Sequence, residues 1–214
     1  MASPKKGYWL DGKRLPSVTT ILSRYKESGG LIHWAWQCGM DGLDYRDMRD
    51  AAATAGTCAH QMVEAFIRKK EFDDSSYDAE IIEKAETAYG AFRKWAGSTN
   101  LTPTETECSL LSKKHKFGGT LDAMLVDDKL SLGDWKTSNG VYPDYLLQLA
   151  AYGLLWEENF PNLPIEGGFH LLRFDKTHGD FHHHWYANLD EAKRAFVLMR
   201  ELYDIDKGLK KRAA

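Results

Sequence analysis

Gly118-Gly119-Thr120-Leu121-Asp122 and, further along, Asp134-Trp135-Lys136-Thr137 decide how this chain is read. Residues 117–126 and 130–136 have strand composition, and Asp127-Asp128-Lys129 makes the turn between them. A three-residue turn sets Val126 opposite Leu130, Met124 opposite Leu132, and Asp122 opposite Asp134. Side chains alternate faces along a strand, so Asp122, Asp134 and Lys136 project from one face. Opposed residues have Cβ atoms roughly 4.5–5.5 Å apart. Two carboxylates at that distance repel unless a proton or a cation lies between them. A solvated hairpin would tolerate them. Leu130 and Leu132 share their face, however, which puts them at the end of a buried row. A hard divalent cation then resolves the repulsion. A two-residue turn would shift the register and separate the pair.

The rest of the chain is consistent with an ordinary folded domain. Its 214 residues fit one domain with an appended helical lobe, and 43% hydrophobic residues with seven Trp and nine Phe fill a sizeable core. A net charge of −3 gives no global attraction to nucleic acid, so a polyanion must be met by local basic groups or by metal. Cys38, Cys58 and Cys108 form no CxxC pair; they suit a reduced intracellular protein and exclude an iron–sulfur cluster held by four Cys of this chain. No apolar run reaches membrane-spanning length, and Met1–Lys6 lacks the apolar stretch of a signal peptide.

Tyr8-Trp9-Leu10 and Lys13-Arg14-Leu15 around Asp11-Gly12 read as a short hairpin. Ser17 caps a following helix whose inward stripe is Val18, Ile21 and Leu22. Helices are expected over 31–40, 50–70 (Ala55, Ala59, Met62, Val63 and Phe66 inward) and 79–97 (Ile82, Ala85, Tyr89 and Phe92 inward). Strands follow at about 104–112, 117–126 and 130–136, then a helix at 143–158, strands at 166–174 and 180–187, and a helix at 189–206. That order predicts an α/β fold: a central mixed sheet flanked by helices. Residues 1–100 form an N-terminal helical lobe of the same domain, and 101–214 form the core.

Several residues carry candidate chemistry. His60 and Glu64 lie one helical turn apart, and Gly56, one turn before His60, allows close packing against another backbone. His60 also suits a hydrogen-bonded core histidine. Glu107, with Ser109 and Leu111 on its face, needs a partner near a sheet centre, or solvent on an edge strand. Lys136 can hold an attacking water or offset growing phosphate charge, or simply pair with Asp134. Gln148 and Tyr152 stand one turn apart and either turn inward to the hairpin or lie at the surface. His182-His183-His184 alternates faces and cannot converge on one ion. Lys113-Lys114-His115-Lys116 and the lysines from Lys207 onward are solvated charge, although the first cluster is positioned to take phosphates.

Together, Gly56-x-x-x-His60-x-x-x-Glu64, Glu107, Gly119-Thr120-Leu121-Asp122, Asp134-Trp135-Lys136-Thr137-Ser138 and Gln148-x-x-x-Tyr152 resemble the PD-(D/E)XK nuclease superfamily, in its RecB- and Cas4-like exonuclease branch. The opening Leu15-Pro16-Ser17-Val18-Thr19-Thr20-Ile21-Leu22 is similar to the N-terminus of phage exonucleases of this branch and of the mitochondrial genome maintenance exonuclease. The cysteines of cluster-bearing relatives are missing, which points to the cluster-free part of the branch.

The resemblance implies a restriction-endonuclease-like core and Mg²⁺ or Mn²⁺, one or two ions. His60, Asp122, Asp134 and the backbone carbonyl of Trp135 would be ligands, with Glu107 as a further candidate. Asp122, Asp134 and Lys136 would be catalytic. Gln148, Tyr152, Thr137, Ser138 and Glu64 would shape the site or meet the substrate. The implied activity is hydrolysis of DNA, single-stranded or with free ends, in replication, recombination or repair, alongside other proteins of those processes. The implied compartment is a bacterial or phage-infected cytoplasm, with no membrane partner. A structure-specific endonuclease and a non-catalytic DNA-binding partner are the alternatives; the second expects decayed ligands, which are intact here. Trp34 and Trp36, with Arg46 and Arg49, suggest an aromatic wall over single-stranded DNA.

Overall fold

Asp11 and Gly12 both adopt left-handed backbone angles (φ 49 and 72), the primed turn that an Asp-Gly pair favours. They close β1 (Tyr8–Leu10) onto β2 (Lys13–Leu15). The computed structural model describes residues 7–26 and 28–213; the segment 1–6, read above as lacking a signal peptide, lies outside the described residues. Next comes α1 (Val18–Tyr25), opened by Ser17, whose Oγ accepts from the Thr20 N–H at 3.0 Å. Then follow α2 (Gly29–Met40), α3 (Tyr45–Ile67), α4 (Ala79–Ser98), β3 (Thr102–Ser112), β4 (Phe117–Val126), β5 (Leu130–Lys136), α5 (Pro143–Asn159), β6 (Gly168–Phe174), β7 (Phe181–Tyr186) and α6 (Asp190–Ala213).

β4 and β5 have the bounds expected from the sequence. Two helices pass an expected end by more than two residues. α3 starts earlier because Asp44 caps it, its Oδ1 accepting from the Arg46 N–H at 2.8 Å. α6 runs past the expected end at 206 to Ala213.

The five-stranded sheet has the order β3-β4-β5-β6-β7. Only β5 and β6 are parallel, joined across α5; the other neighbours are antiparallel. The fold is therefore α/β with a mixed sheet. On one face Val18 and Ile21 of α1, Leu149 and Leu155 of α5 and Phe196 of α6 pack on Leu121, Met124 and Leu132. On the other, Cys58 and Val63 of α3 and Phe92 and Trp95 of α4 pack on Ala123, Leu125 and Trp135. β4 is buried along nearly its whole length, with helices on both faces, so apart from Thr120 and Asp122 it carries no polar side chain. Phe66 departs from the expected inward stripe: it is 40% exposed, edge-on to Tyr89 and Phe92 and covered by the Arg93 guanidinium. Among the described residues, no helix is long and apolar enough to cross a membrane.

The N-terminal hairpin locks onto β4 at Gly118. Gly118 N–H donates to the Pro16 carbonyl at 3.0 Å. A Cβ at Gly118 would come within 2.3 Å of the Tyr8 ring, far inside contact distance. Gly118→Ala is therefore expected to destabilise the chain by about 2 kcal/mol or more, read as a lower thermal midpoint. In a Tyr8→Ala background, which bears its own cost for the lost ring, the same Gly118→Ala change should cost clearly less; an equal cost there would show that Tyr8 is not the obstacle.

Candidate active site

The β4–β5 ladder pairs Val126 with Leu130, Leu125 with Ser131, Met124 with Leu132 and Ala123 with Gly133. This is the register that the three-residue turn requires. Asp122 and Asp134 come next, one step beyond the last paired rung. There the Trp135 N–H donates to Asp122 Oδ2 at 2.7 Å, so a carboxylate takes a bond that strand backbone would otherwise supply. Asp122 and Asp134 are 1% and 0% exposed.

Lys136 completes this end of β5. Its Nζ lies 2.5 Å from Asp134 Oδ2, donates to Gln148 Oε1 at 3.1 Å, and sits over the Tyr145 ring. Gln148 Nε2 in turn donates to the Tyr152 hydroxyl at 2.7 Å. The one-turn spacing of Gln148 and Tyr152 on α5 thus faces inward, and both are buried. Burial alone would lower the Lys136 pKa, but Asp134 and Asp122 outweigh it and hold the ammonium above its ordinary value. Burial, then Asp134 and Asp122, keep Tyr152 a neutral phenol well past its usual range.

On the α3 side, His60, Glu107 and Asp122 each present a ligand atom, and these atoms lie within 4.8 Å of one another. His60 Nδ1 is 4.0 Å from Asp122 Oδ1, too far for a hydrogen bond. His60 Nδ1, Glu107 Oε2 and Asp122 Oδ1 are all buried without a hydrogen-bond partner. Buried polar atoms are rarely left so, and here they converge from three elements.

The electrostatics agree. Burial pushes the Asp134 carboxyl up to about 7, with Lys136 opposing and Asp122 adding to the rise. Burial and then Asp122 push Glu107 up to about 7, and burial raises Asp122 as well. Burial, reinforced by Lys136, lowers His60 to about 3, so the imidazole is neutral and able to ligate. Three carboxylates thus face one lysine in a buried space. They must either retain protons or share a cation. Two carboxylates and a neutral imidazole suit a divalent ion, and the unpartnered atoms fit one.

Glu107 reaches this cluster from one of the two positions its sequence allows. It lies on β3, an edge strand rather than the sheet centre. Within a β3–β4 register that stays in step on both sides of it, its backbone is left-handed (φ 53). A non-glycine residue there is strained, a feature that clusters at functional sites. Folded Glu107 holds its proton to about pH 7, whereas the unfolded residue loses it near pH 4.5. Across that window the folded state binds more protons, so this group's contribution to stability falls as pH rises and stays lost above it. In EDTA, Glu107→Gln should therefore stabilise the chain by about 2 kcal/mol near pH 8 and hardly at all near pH 5. Equal effects at both pH values in thermal melts would contradict this.

Other candidates sit less centrally. Thr137 packs on α3, where a Cβ at Gly56 would lie 2.8 Å from its Oγ1; Gly56 thus clears a side chain, not the backbone expected from the sequence. Ser138 Oγ donates to the Gly140 carbonyl at 2.7 Å and shapes the loop after β5. Glu64 pairs with Arg68 at 3.1 Å, and Arg68 donates to the Thr106 carbonyl at 3.0 Å, tying α3 to β3. Arg68 and Tyr145 escaped sequence reading, although each lies three or four residues from a flagged one on its helix. His183 bonds His170 at 2.7 Å, away from the carboxylates and apart from its two neighbours, as alternation requires. A cleft of about 240 Å³, lined by Tyr8, Ser17, Thr19, Thr120 and Tyr152, opens beside Tyr152. On α2, Trp36 is 57% exposed and Trp34 37%. Trp34 meets Tyr45 edge-on, and Trp36 stacks with His33.

No family model matches this chain, and no curated protein matches it. Among solved structures, a protein from Eubacterium rectale assigned as an exonuclease aligns with TM-score 0.48 and 11% identity, over 69% of this chain and 64% of that one. This chain therefore spans less than two thirds of that protein's length. The alkaline exonuclease LHK-Exo from Laribacter hongkongensis aligns with TM-score 0.38 and 14% identity, over 73% of this chain and 84% of that one. Its complex with dAMP aligns with TM-score 0.37 and 14% identity over the same shares.

Proposed function

We propose that this chain is a metal-dependent nuclease of the PD-(D/E)XK type, which hydrolyses phosphodiester bonds in DNA from free ends during replication, recombination or repair. One observation carries the reading: three buried, unpartnered ligand atoms of His60, Glu107 and Asp122 converge beside the Asp134–Lys136 pair. The ordered motifs of the sequence support it, and the exonuclease branch they resemble supports action at ends.

His60, Glu107 and Asp122 would hold Mg²⁺ or Mn²⁺, with Asp134 and the Trp135 carbonyl beside them. When bound, such an ion polarises a phosphoryl oxygen and lowers the pKa of water. The chain's own residues do the rest. The Lys136 ammonium has three N–H donors; Asp134 and Gln148 take two and fix its direction, which leaves one for the hydrolytic water or a phosphoryl oxygen. A new P–O bond forms from that water as the bond to the leaving oxygen breaks. Lys136 offsets the charge that grows on the phosphate, and Gln148 and Tyr152 keep its ammonium in place. Exposed Trp34 and Trp36 on α2 would stack on unpaired bases.

The test is digestion of end-labelled single- and double-stranded oligonucleotides with Mg²⁺, Mn²⁺ or EDTA. Metal-dependent release from ends is expected. Cutting of closed circles would make the chain an endonuclease. DNA binding without cleavage under any metal would make it a non-catalytic partner.

A further inference from the structure

β6 brings a second cation beside the end of β5. In the parallel β5–β6 register Lys136 pairs with Arg173, and strands so paired run about 4.8 Å apart. Phe169 and Leu171 of β6 pack on the α5 side of the sheet, and Leu172 and Phe174 on the α3–α4 side. Alternation therefore turns Arg173 to the α5 side, where Lys136 meets Gln148. Both residues lie at the carboxyl ends of their strands, the edge at which open α/β sheets bind ligands.

The Arg173 guanidinium is held at one nitrogen. Its Nη1 donates to the Ser138 carbonyl at 3.2 Å and to Asp175 Oδ2 at 3.0 Å. Asp175 is itself fixed, its Oδ1 accepting from the Thr177 N–H at 2.7 Å and the His178 N–H at 2.6 Å. Nε and Nη2 have no partner among the described residues. Although the side chain is only 11% exposed, neither atom is sealed from solvent. Nε–H and Nη2–H form the two-pronged edge of a guanidinium, which matches two oxygens of one phosphate. Three other arginines spend this edge inside the fold: Arg24 on Asp206, Arg68 on Thr106 and Arg200 on the Lys116 carbonyl. The ion pair with Asp175 needs only Nη1, so the fold leaves the edge of Arg173 unused.

We propose that Arg173 grips a backbone phosphate of the DNA strand, next to the phosphate at which Lys136 acts. This assignment rests on the nuclease reading and adds a substrate contact to it. A phosphate that does not react is held alike before and during cleavage, so Arg173 sets affinity more than rate.

The test is single-turnover cleavage of a single-stranded oligonucleotide in Mn²⁺, followed against DNA concentration and salt. Arg173→Gln should raise the half-saturating DNA concentration about tenfold or more, leave the limiting rate within about threefold of wild type, and flatten the log–log salt dependence of binding by about 0.7. Arg173→Lys keeps the charge and the Asp175 pair but not the two-pronged edge. It should restore the salt slope without the affinity, and it carries the test if the Gln chain does not fold. Asp175→Asn separates contact from scaffold. It keeps an oxygen for Nη1 and removes a neighbouring negative charge, so it should hold DNA as tightly as wild type or more tightly. Binding as weak as in Arg173→Gln would reduce Arg173 to a structural partner of Asp175 and overturn the assignment. Wild-type half-saturation and salt slope in Arg173→Gln, in a chain that cleaves, would overturn it alone. A wild type that neither binds nor cleaves DNA would overturn the nuclease reading, and this assignment with it.

Discussion

Lys136→Ala is expected to cut DNA cleavage by about 10²–10³-fold, the usual cost of removing one donor that stabilises developing charge, while Mn²⁺ binding stays close to wild type. The two outcomes separate because Lys136 bonds Asp134 and Gln148 and is none of the three ligand residues His60, Glu107 and Asp122; loss of its charge, which acts on Asp122 and His60 from nearby, does not oppose binding of a cation. The variant also leaves Asp134 buried without its ion pair. A carboxylate so placed keeps its proton rather than bear a lone buried charge, so some loss of thermal stability accompanies the loss of activity. Single-turnover kinetics at saturating Mn²⁺, with calorimetric titration of the metal, distinguishes the two effects. Undiminished cleavage would remove Lys136 from the chemistry; loss of Mn²⁺ binding would instead make it part of the metal site.

A second large effect concerns the folded state itself. Near pH 8, adding Mn²⁺ at 100 times its dissociation constant should stabilise the chain by about 2.7 kcal/mol. For a chain of this size that corresponds to a rise in midpoint of roughly 5–10 °C. The gain comes from carboxylates that are costly without a cation. Glu107 and Asp134 are pushed up to about 7. Above that pH the metal-free fold holds all its buried charges at full cost, and the ion relieves them. As pH falls below 7 protons occupy the same oxygens and compete with the metal, so the Mn²⁺ effect should shrink and nearly vanish by about pH 5. Asp122→Asn keeps the shape and an oxygen for the Trp135 N–H but removes the charge central to the cluster. It should abolish most of the Mn²⁺-induced shift at pH 8. A full shift in this variant, or one independent of pH, would mean that the ion binds elsewhere.

How far the sequence carried the reading depended on the range of the physics involved. The Asp127-Asp128-Lys129 turn and period-two alternation were local, and they placed Asp122, Asp134 and Lys136 on paired strands in the observed register. The spacing of Gln148 and Tyr152 put both on one face of α5, although only packing showed that this face turns to Lys136. His60 was legible as a helix residue but not as the neighbour of Glu107, because α3 and β3 meet only in the folded chain. Glu107 was left open between a sheet centre and an edge strand, because strand order is non-local; the fold puts it on the edge. Leu198, Leu202, Ile205 and Leu209 of α6 are exposed although they recur at helical spacing; periodicity alone does not tell which apolar face of a helix turns to the core.

The edge position of β3 has a consequence for how tightly an ion would be retained. Glu107 hangs from the border of the sheet, where the outer backbone pairs with no further strand among those described, while Asp122 is anchored on central β4. Border strands open locally at lower free energy than interior ones. Partial detachment of 105–108 would therefore withdraw one ligand and leave the others in place, so that fraying of this margin sets the ion's escape rate. Amide hydrogen exchange along 105–108 should slow when Mn²⁺ is added; exchange that ignores the metal would separate the strand's breathing from the ion's residence.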